Sequence, residues 1–476
     1  MSQQTQPSHI GRALVLGAGK SGIAVAEYLA ARLGDRVDSV TLYGGATSRP
    51  TEKTRELEAA GVRVVLGTED VEGSYDLAVS SPGISEFSEF FSAAKACSSE
   101  VIGEPEFAWR ESPDSWVGIT GTNGKTTTTT LACELLRAAG MDAETVGNIG
   151  TLASSRVDAR RAGEWFVAEL SSYQLACTER LHPRVAVLLN ITPDHLSWHR
   201  SHEAYAAAKE RIFRNLDAGD LAVVSAEPAC AAIRERLVAR GLRVCVLDPE
   251  ADPATRSAAF SRDGVMVVRL DGVEHELVAA SELAIKGVHN VENALAASAV
   301  ALELGAADAD VRRGLLSFSP LEHRIEPCGQ MSGVRFVNDS KATNTDAVQK
   351  ALTAFEPGHV VVLLGGHDKG TELCDLARDV VARCRAAVCF GEAGERIAGA
   401  LEAARDDACA PVVARAAHME QALDVAIGLA QPGDVVLLSP ACSSFDEFGG
   451  YEERGRAFKS LVGERIVGAP EGGTRG

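Results

Sequence analysis

Trp116-Val117-Gly118-Ile119-Thr120-Gly121-Thr122-Asn123-Gly124-Lys125-Thr126-Thr127 decides how the chain is read. An apolar, β-branched run drives into a Gly-Thr-Asn-Gly turn, and a Lys-Thr pair opens a segment that reads as a helix down to Leu136. Such a turn lets backbone N–H groups close around phosphate oxygens, while the helix N-terminus, a lysine and a metal-binding hydroxyl offset their charge. The usual phosphate-loop pattern wants a glycine five residues before Gly124, where Ile119 stands. A glycine-rich joint between strand and helix is also ordinary punctuation in α/β proteins and need bind nothing. The run Thr126 to Thr130 favours phosphate. β-branched residues each cost a few tenths of a kcal/mol in a helix, roughly up to 0.7, so five at a helix start imply selection for something else.

Upstream, residues 12 to 110 alternate between strands and helices. Arg12 to Leu16 reads as a buried strand, and Gly17-Ala18-Gly19-Lys20-Ser21-Gly22 is a GxGxxG turn opening a helix through Leu33. Val40 to Tyr43, Val62 to Leu66 and Leu77 to Ser81 follow as strands, which makes a dinucleotide-fold half. The acid that would hold a ribose hydroxyl at the end of the second strand is missing, because Tyr43-Gly44 stands there. That weighs against NAD, although another diphosphate is compatible with the same turn. Ser81-Pro82-Gly83-Ile84 falls at the carboxyl end of the last strand, as a binding segment or simply a turn set by proline and glycine.

Downstream, Trp165 to Leu170 is a strand with Glu169 near its end, and Val185 to Leu189 is another that runs into Asn190-Ile191-Thr192-Pro193-Asp194-His195. Lys125, Glu169 and His195 all fall at strand carboxyl ends, where open α/β sheets collect ligands. Taken singly, Glu169 reads as a rim charge and His195 as a loop residue. Beside a phosphate loop they suit Mg²⁺, which needs oxygen ligands next to the phosphates. Tyr205 to Phe213 is a helix of strong formers. Asn290 and Asn293, three apart at the start of an Ala-rich helix, suit either a purine or ribose contact or a polar cap. In the last third, strands at Val334 to Val337, Val360 to Leu364, Ala387 to Phe390 and Val435 to Leu438 each end in small and polar residues, a second carboxyl-end crevice.

At 476 residues the chain exceeds one compact core, and about three domains are expected. Hydrophobic content of 46% with 24% charged residues is that of a soluble globular protein, and no apolar run approaches a membrane span. Met1 to Ser8 lacks the regions of a signal peptide, so a cytoplasmic location is expected. A formal charge of −19 disfavours nucleic acid and anionic membranes as partners. Eleven scattered cysteines with no Cys-x-x-Cys spacing, such as Cys133, Cys245 and Cys389, read as reduced core thiols. The tail from Gly468 has the composition of disorder.

Seven separated motifs name a family. Gly121 to Thr127, Glu169-Leu-Ser-Ser-Tyr-Gln-Leu175, Asn190 to His195, His289-Asn290-x-x-Asn293, His323-Arg324, Asn338 to Asn344 and Ser439 to Phe448 occur in the order found in Mur ligases, and the chain resembles that family over essentially its whole length. The Asp339 to Asn344 and Ser439 to Phe448 runs are most similar to the members that add D-glutamate. The Asp-Asn-Pro-Arg signature of the diaminopimelate-adding relative is absent. Folylpolyglutamate synthetase shares the central loop but lacks an N-terminal dinucleotide-like domain. Two other classes share parts of this pattern, a nucleotide-driven switch that makes no bond and an NAD-dependent dehydrogenase; the substrate-type third domain disfavours the first and Tyr43 the second.

The resemblance implies an α/β protein of three domains. These are a dinucleotide-fold-like UDP-substrate domain (1–111), a central P-loop ATPase-like domain with a mostly parallel sheet (112–320), and a C-terminal dinucleotide-fold-like amino-acid domain (321–476). It implies an ATP-dependent amide ligase acting on UDP-N-acetylmuramoyl-L-alanine and D-glutamate through an acyl phosphate, working as a monomer. By carry-over, ATP is held by Gly121, Thr122, Asn123, Gly124, Lys125, Thr126 and Thr127, with Asn290, Asn293, Arg324 and Asp339 on the adenosine. Two Mg²⁺ ions fall to Thr126, Glu169, His195 and a carbamylated Lys209, and Lys125, Glu169, His195 and Lys209 form the catalytic set. From the residues alone, Lys209 reads as a solvated helix position. The UDP substrate is assigned to Gly19, Lys20, Ser21, Gly22, Ser81, Pro82, Gly83, Asn148 and His195. D-glutamate is assigned to Lys341, Thr343, Lys369, Ser444 and Tyr451, the last standing where relatives carry a phenylalanine.

Overall fold

The computed structural model describes residues 9–368, 370–405 and 411–468. Its described residues build three sheets. The first holds β1 (Gly11–Leu16), β2 (Val37–Tyr43), β3 (Arg63–Val65), β4 (Leu77–Ser80) and β5 (Val101–Gly103), all parallel in the order β3-β2-β1-β4-β5. Every strand side chain alternates between faces. Ala13 and Val15 therefore enter one core with Val25 and Leu29 of the helix Lys20–Ala30, while Leu14 and Leu16 enter another with Phe90 and Ala94 of the helix Glu89–Cys97. Helices on both faces of a parallel sheet are the doubly wound solution to burying both sides.

The second sheet has nine strands: β6 (Trp116–Thr120), β7 (Ala143–Gly147), β8 (Trp165–Glu169), β9 (Val185–Leu188), β10 (Leu221–Ser225), β11 (Arg243–Asp248), β12 (Ala258–Arg262), β13 (Val265–Leu270) and β14 (Val273–Ala279). Their order is β14-β13-β12-β11-β10-β9-β6-β8-β7, parallel from β7 to β12 and antiparallel from β12 to β14. The two antiparallel joints turn at Asp263-Gly264 and Asp271-Gly272, each with positive φ at both residues (50° and 79°, 51° and 90°). That twist matches the strands of a tight hairpin.

The third sheet contains β15 (Glu326–Met331), β16 (Val334–Asn338), β17 (Val360–Gly365), β18 (Cys384–Phe390), β19 (Val412–Arg415) and β20 (Val435–Ala441) in the order β15-β16-β20-β17-β18-β19. Only β15 runs antiparallel. Val360, Val362 and Leu364 face the helices Cys374–Arg383 and Gly394–Ala403, and Val361 and Leu363 face the helices Met419–Leu429 and Tyr451–Gly468.

By internal contacts the chain divides into two compact units. One takes in the first two sheets, up to residue 282 and again from 292 to 316; the other takes residues 283–291 and those from 317 onward. No helix among the described residues is long and apolar enough to cross a membrane. The ten described cysteines are free thiols, and Cys133, Cys245 and Cys389 are buried.

Candidate active site

In the second sheet β8 and β7 lie on one side of β6 and β9 on the other, so the strand order changes direction at β6. Register aligns Ile119 with Glu169 and Thr120 with Leu188, which brings the carboxyl ends of β6, β8 and β9 level. Gly121 to Gly124 leave β6 there. Asn190 brackets this loop, its backbone oxygen accepting from Thr122 N (3.0 Å), its Oδ1 from Asn123 N (2.8 Å), and its Nδ2 donating to Asn123 O (3.2 Å). The Thr122 hydroxyl accepts from Thr192 N (3.0 Å) and lies 2.9 Å from Tyr205 Oη. Gly124 caps the helix Lys125–Ala138 at φ 84°, and a Cβ there would sit 2.3 Å from Asn293 Oδ1. Only glycine combines that left-handed backbone with so close a neighbour.

The threonine run divides. Thr126 is half-buried at the loop, whereas Thr127, Thr128 and Thr129 are buried, and Thr128 donates to Asn293 Oδ1 at 3.1 Å. Part of that run therefore serves helix packing.

Lys125 Nζ curls back to donate to Gly121 O (2.9 Å) and Thr122 O (2.7 Å). Lys209 reaches the same carbonyl from the helix His202–Glu210, its Nζ donating to Gly121 O at 2.6 Å. Lys209 is only 1% exposed, which corrects its reading as a solvated helix position. Burial first, then the neighbouring Lys125 charge, hold its amine well below the ordinary lysine range, with Asp194 and Glu169 pulling the other way. Glu169 is 2% exposed, not a rim charge. Its Oε1 accepts from Asn148 Nδ2 at 2.6 Å, and its Oε2 is buried with no hydrogen-bond partner among the described residues. His195 is exposed on its loop at φ 55°, with Nδ1 3.5 Å from Asp194 Oδ1 and its ring 4.8 Å from that of Tyr173.

In the first sheet the GxGxxG turn closes as its glycines require. A Cβ on Gly22 would meet Gly17 O at 1.8 Å, and one on Gly17 (φ 92°) would meet Ser81 Oγ at 2.7 Å. Gly19 has open space around it and caps the helix starting at Lys20 and Ser21 without a side-chain bond. Ser81 Oγ is buried without a partner among the described residues, beside half-buried Pro82 and exposed Gly83. Tyr43 is buried, and its hydroxyl accepts from Glu72 N at 3.1 Å.

In the C-terminal unit Asp339 is buried after β16. Its Oδ2 accepts from Ser439 Oγ (2.7 Å) and its Oδ1 from Ile325 N (3.3 Å). Burial pushes its carboxyl up to about 7, against the pull of those bonds and of Arg324. Arg324 and Asn290 line one cavity of about 270 Å³ together with Lys286, Phe355 and His359. Asn290 Nδ2 donates to Lys286 O at 2.8 Å, so this asparagine is tied to its own helix start. Lys341 Nζ lies 3.8 Å from the centre of the Tyr451 ring. Thr343 is half-buried, and Ser444 is 2% exposed with its Oγ unpartnered among the described residues. Lys369 lies outside the described residues.

Sequence reasoning did not single out Tyr205, which stands four residues before Lys209 and so shares its helix face. It also passed over His199, fully buried with Nε2 2.9 Å from Ser172 Oγ and pushed down to about 4 by burial.

Two family models match the chain, the Mur ligase middle domain over residues 119–301 and the Mur ligase glutamate ligase domain over residues 323–442. The chain belongs to the Mur ligase family. Among relatives in this family, the UDP-N-acetylmuramoylalanine–D-glutamate ligase of Geobacillus kaustophilus is 39% identical over 95% of this chain and 97% of its own length. The enzyme of the same name from Geobacter metallireducens is 40% identical over 94% and 96%. Among solved structures, the UDP-N-acetylmuramate-alanine ligase of Thermotoga maritima shares the fold with a TM-score of 0.55, at 20% identity over 95% of this chain and 99% of that one. The Mur ligase fold thus accounts for all three sheets, including the dinucleotide-like first sheet.

Proposed function

We propose that this Mur ligase is a cytoplasmic, monomeric enzyme that joins D-glutamate to UDP-N-acetylmuramoyl-L-alanine at the expense of ATP. The observation that carries the reading is near-40% identity, over almost the full length of both chains, to relatives named for this reaction. A carboxylate has no good leaving group. ATP phosphorylates it to an acyl phosphate, and the amine of D-glutamate then displaces phosphate to form the amide. Since the phosphoryl group and its acceptor are both anionic, positioning and charge neutralisation supply most of the catalysis.

In this reading Gly121 to Thr127 cradle the β- and γ-phosphates, and Lys125 exchanges its two loop carbonyls for phosphate oxygens. Asn290, Asn293, Arg324 and Asp339 hold the adenosine. The muramoyl-alanine carboxylate lies near Asn148 and His195, with the uridine diphosphate on Gly19 to Gly22 and Ser81 to Gly83. Lys341, Thr343, Lys369, Ser444 and Tyr451 take D-glutamate.

The orphaned Oε2 of buried Glu169 fits a hard cation. Thr126 and Glu169 would hold one Mg²⁺, and His195 with a carbamylated Lys209 a second. When bound, these ions neutralise phosphate charge. The carbamate is favoured by the same burial that makes the Lys209 amine easier to deprotonate, since CO₂ adds to an unprotonated amine.

Phosphate release assayed with each substrate omitted in turn tests the reading. Release is expected only when ATP, the UDP substrate and D-glutamate are all present. Activity with L-glutamate, diaminopimelate or a folate instead of D-glutamate would overturn the assignment.

A further inference from the structure

We infer that Arg454 is the positioning residue of the amino-acid site, clamping its loops together and setting a fixed positive charge behind them; this rests on the ligase reading above. Arg454 lies in the first turn of the helix Tyr451–Gly468 and is fully buried. Its Nε donates to Ser340 Oγ (3.0 Å), one terminal nitrogen to Ser340 O (2.9 Å) and Cys442 O (3.0 Å), and the other to Ser443 O (3.2 Å). Ser340 Oγ in turn donates to Tyr451 O at 2.8 Å. A Cβ on Gly366 would stand 3.0 Å from the same guanidinium.

The loops that meet here are therefore the one preceding Lys341 and Thr343, the one preceding Ser444, and the one that starts at Gly366. Each borders a residue assigned to D-glutamate, and none of the described ones among these bonds the guanidinium. Asp339, assigned to ATP in the same loop, has its own anchors in Ser439 and Ile325.

The partners are informative for what they lack. Buried arginines are ordinarily paired with carboxylates. Arg454 forms no ion pair among the described residues, and Asp446 and Glu447 act on it only from a distance. Burial lowers it to about 10, so the cation persists at neutral pH. A guanidinium dissolved in carbonyls and left without an anion is costly to keep in a fold. The two carboxylates of D-glutamate, held by those loops in the reading above, supply the missing negative charge.

Steady-state kinetics of Arg454→Met and Arg454→Lys test this. In Arg454→Met the KM for D-glutamate should rise at least tenfold, with the KM values for ATP and the UDP substrate within twofold of wild type. Arg454→Lys, which keeps the charge but not the fork, should recover part of the loss. A D-glutamate KM within twofold of wild type in Arg454→Met, or all three KM values rising together, overturns the inference. If Arg454→Met does not fold, Arg454→Lys decides: a rise confined to D-glutamate supports the role, and any other result, including failure of both variants to fold, assigns Arg454 to stability alone. A wild type that releases no phosphate with D-glutamate refutes the ligase reading before any variant is made. An active wild type with unaltered variants refutes only this inference.

Discussion

Asp339→Asn should make the C-terminal unit more stable while weakening ATP binding. The Asp339 carboxyl is pushed from 3.8 to about 7 by burial. As pH climbs between those values the unfolded chain loses a proton that the folded chain keeps, so stability falls by about 1.4 kcal/mol per pH unit and levels off above the folded pKa. Asparagine fits the same space. Its oxygen can accept from Ile325 N, its amide can donate to Ser439 Oγ, and it has no proton to lose. The stability advantage of the variant should therefore grow by roughly 3 kcal/mol from pH 5 to pH 8. All four tryptophans, Trp109, Trp116, Trp165 and Trp198, lie outside the unit that holds Asp339, so fluorescence would report the wrong part of the molecule. Hydrogen exchange of β16 and β20 peptides across a urea series, corrected for intrinsic rates, reads the right one. At pH 8 the KM for ATP should rise roughly tenfold or more, the worth of a hydrogen bond to a charged acceptor. An advantage that is the same at pH 5 and pH 8 would refute the reasoning.

Three further outcomes follow from the central loop. Lys209→Ala should abolish turnover, with acetate or formate restoring part of it; full activity without them would end the carbamate role, and ¹³C-bicarbonate NMR on wild type should show a carbamate resonance. Glu169→Gln should lower kcat at least a hundredfold with a midpoint of thermal unfolding close to wild type, and unchanged turnover at saturating Mg²⁺ would remove Glu169 from the metal set. Gly124→Ala, strained at φ 84° and colliding with Asn293, should cost about 2 kcal/mol of stability and eliminate nucleotide binding by calorimetry; retained ATP affinity would mean the loop does not carry the phosphates.

The parallel core was legible because buried strands announce themselves as short apolar runs ending in glycine and polar residues. β1, β6, β8, β9, β17 and β20 were all marked that way. The edges were not. β14 mixes exposed and buried positions, and β15 carries Pro327 and Gly329, so neither reads as an apolar run. The hairpins of β12 to β14 did carry a signal, since Asp263-Gly264 and Asp271-Gly272 are strong turn dipeptides. Tyr43 shows the opposite case: the sequence pointed to a missing acid, and the structure shows its phenol engaged with Glu72 N, a backbone partner that no motif specifies.

In the site, residue identity was legible and residue state was not. Lys209 and a surface lysine are the same letter on a helix of strong formers. What separates them is that the face carrying Tyr205 and Lys209 packs toward the Gly121 loop, where Tyr205 meets the Thr122 hydroxyl and Lys209 meets the Gly121 carbonyl. Two lysines then share one acceptor, and burial first, then the neighbouring Lys125 charge, make the buried one yield its proton more readily. Glu169 gains its meaning the same way: Asn148 satisfies one carboxylate oxygen and nothing described satisfies the other. A buried lysine amine and an unpaired buried carboxylate oxygen are both unfavourable in an ordinary core. Each becomes favourable if a cation is to be bound there, the amine once CO₂ has turned it into an anionic ligand and the carboxylate at once. Unpaired chemistry of this kind is a product of tertiary packing, which is why seven motifs could name the family while leaving the state of its two central side chains to the structure.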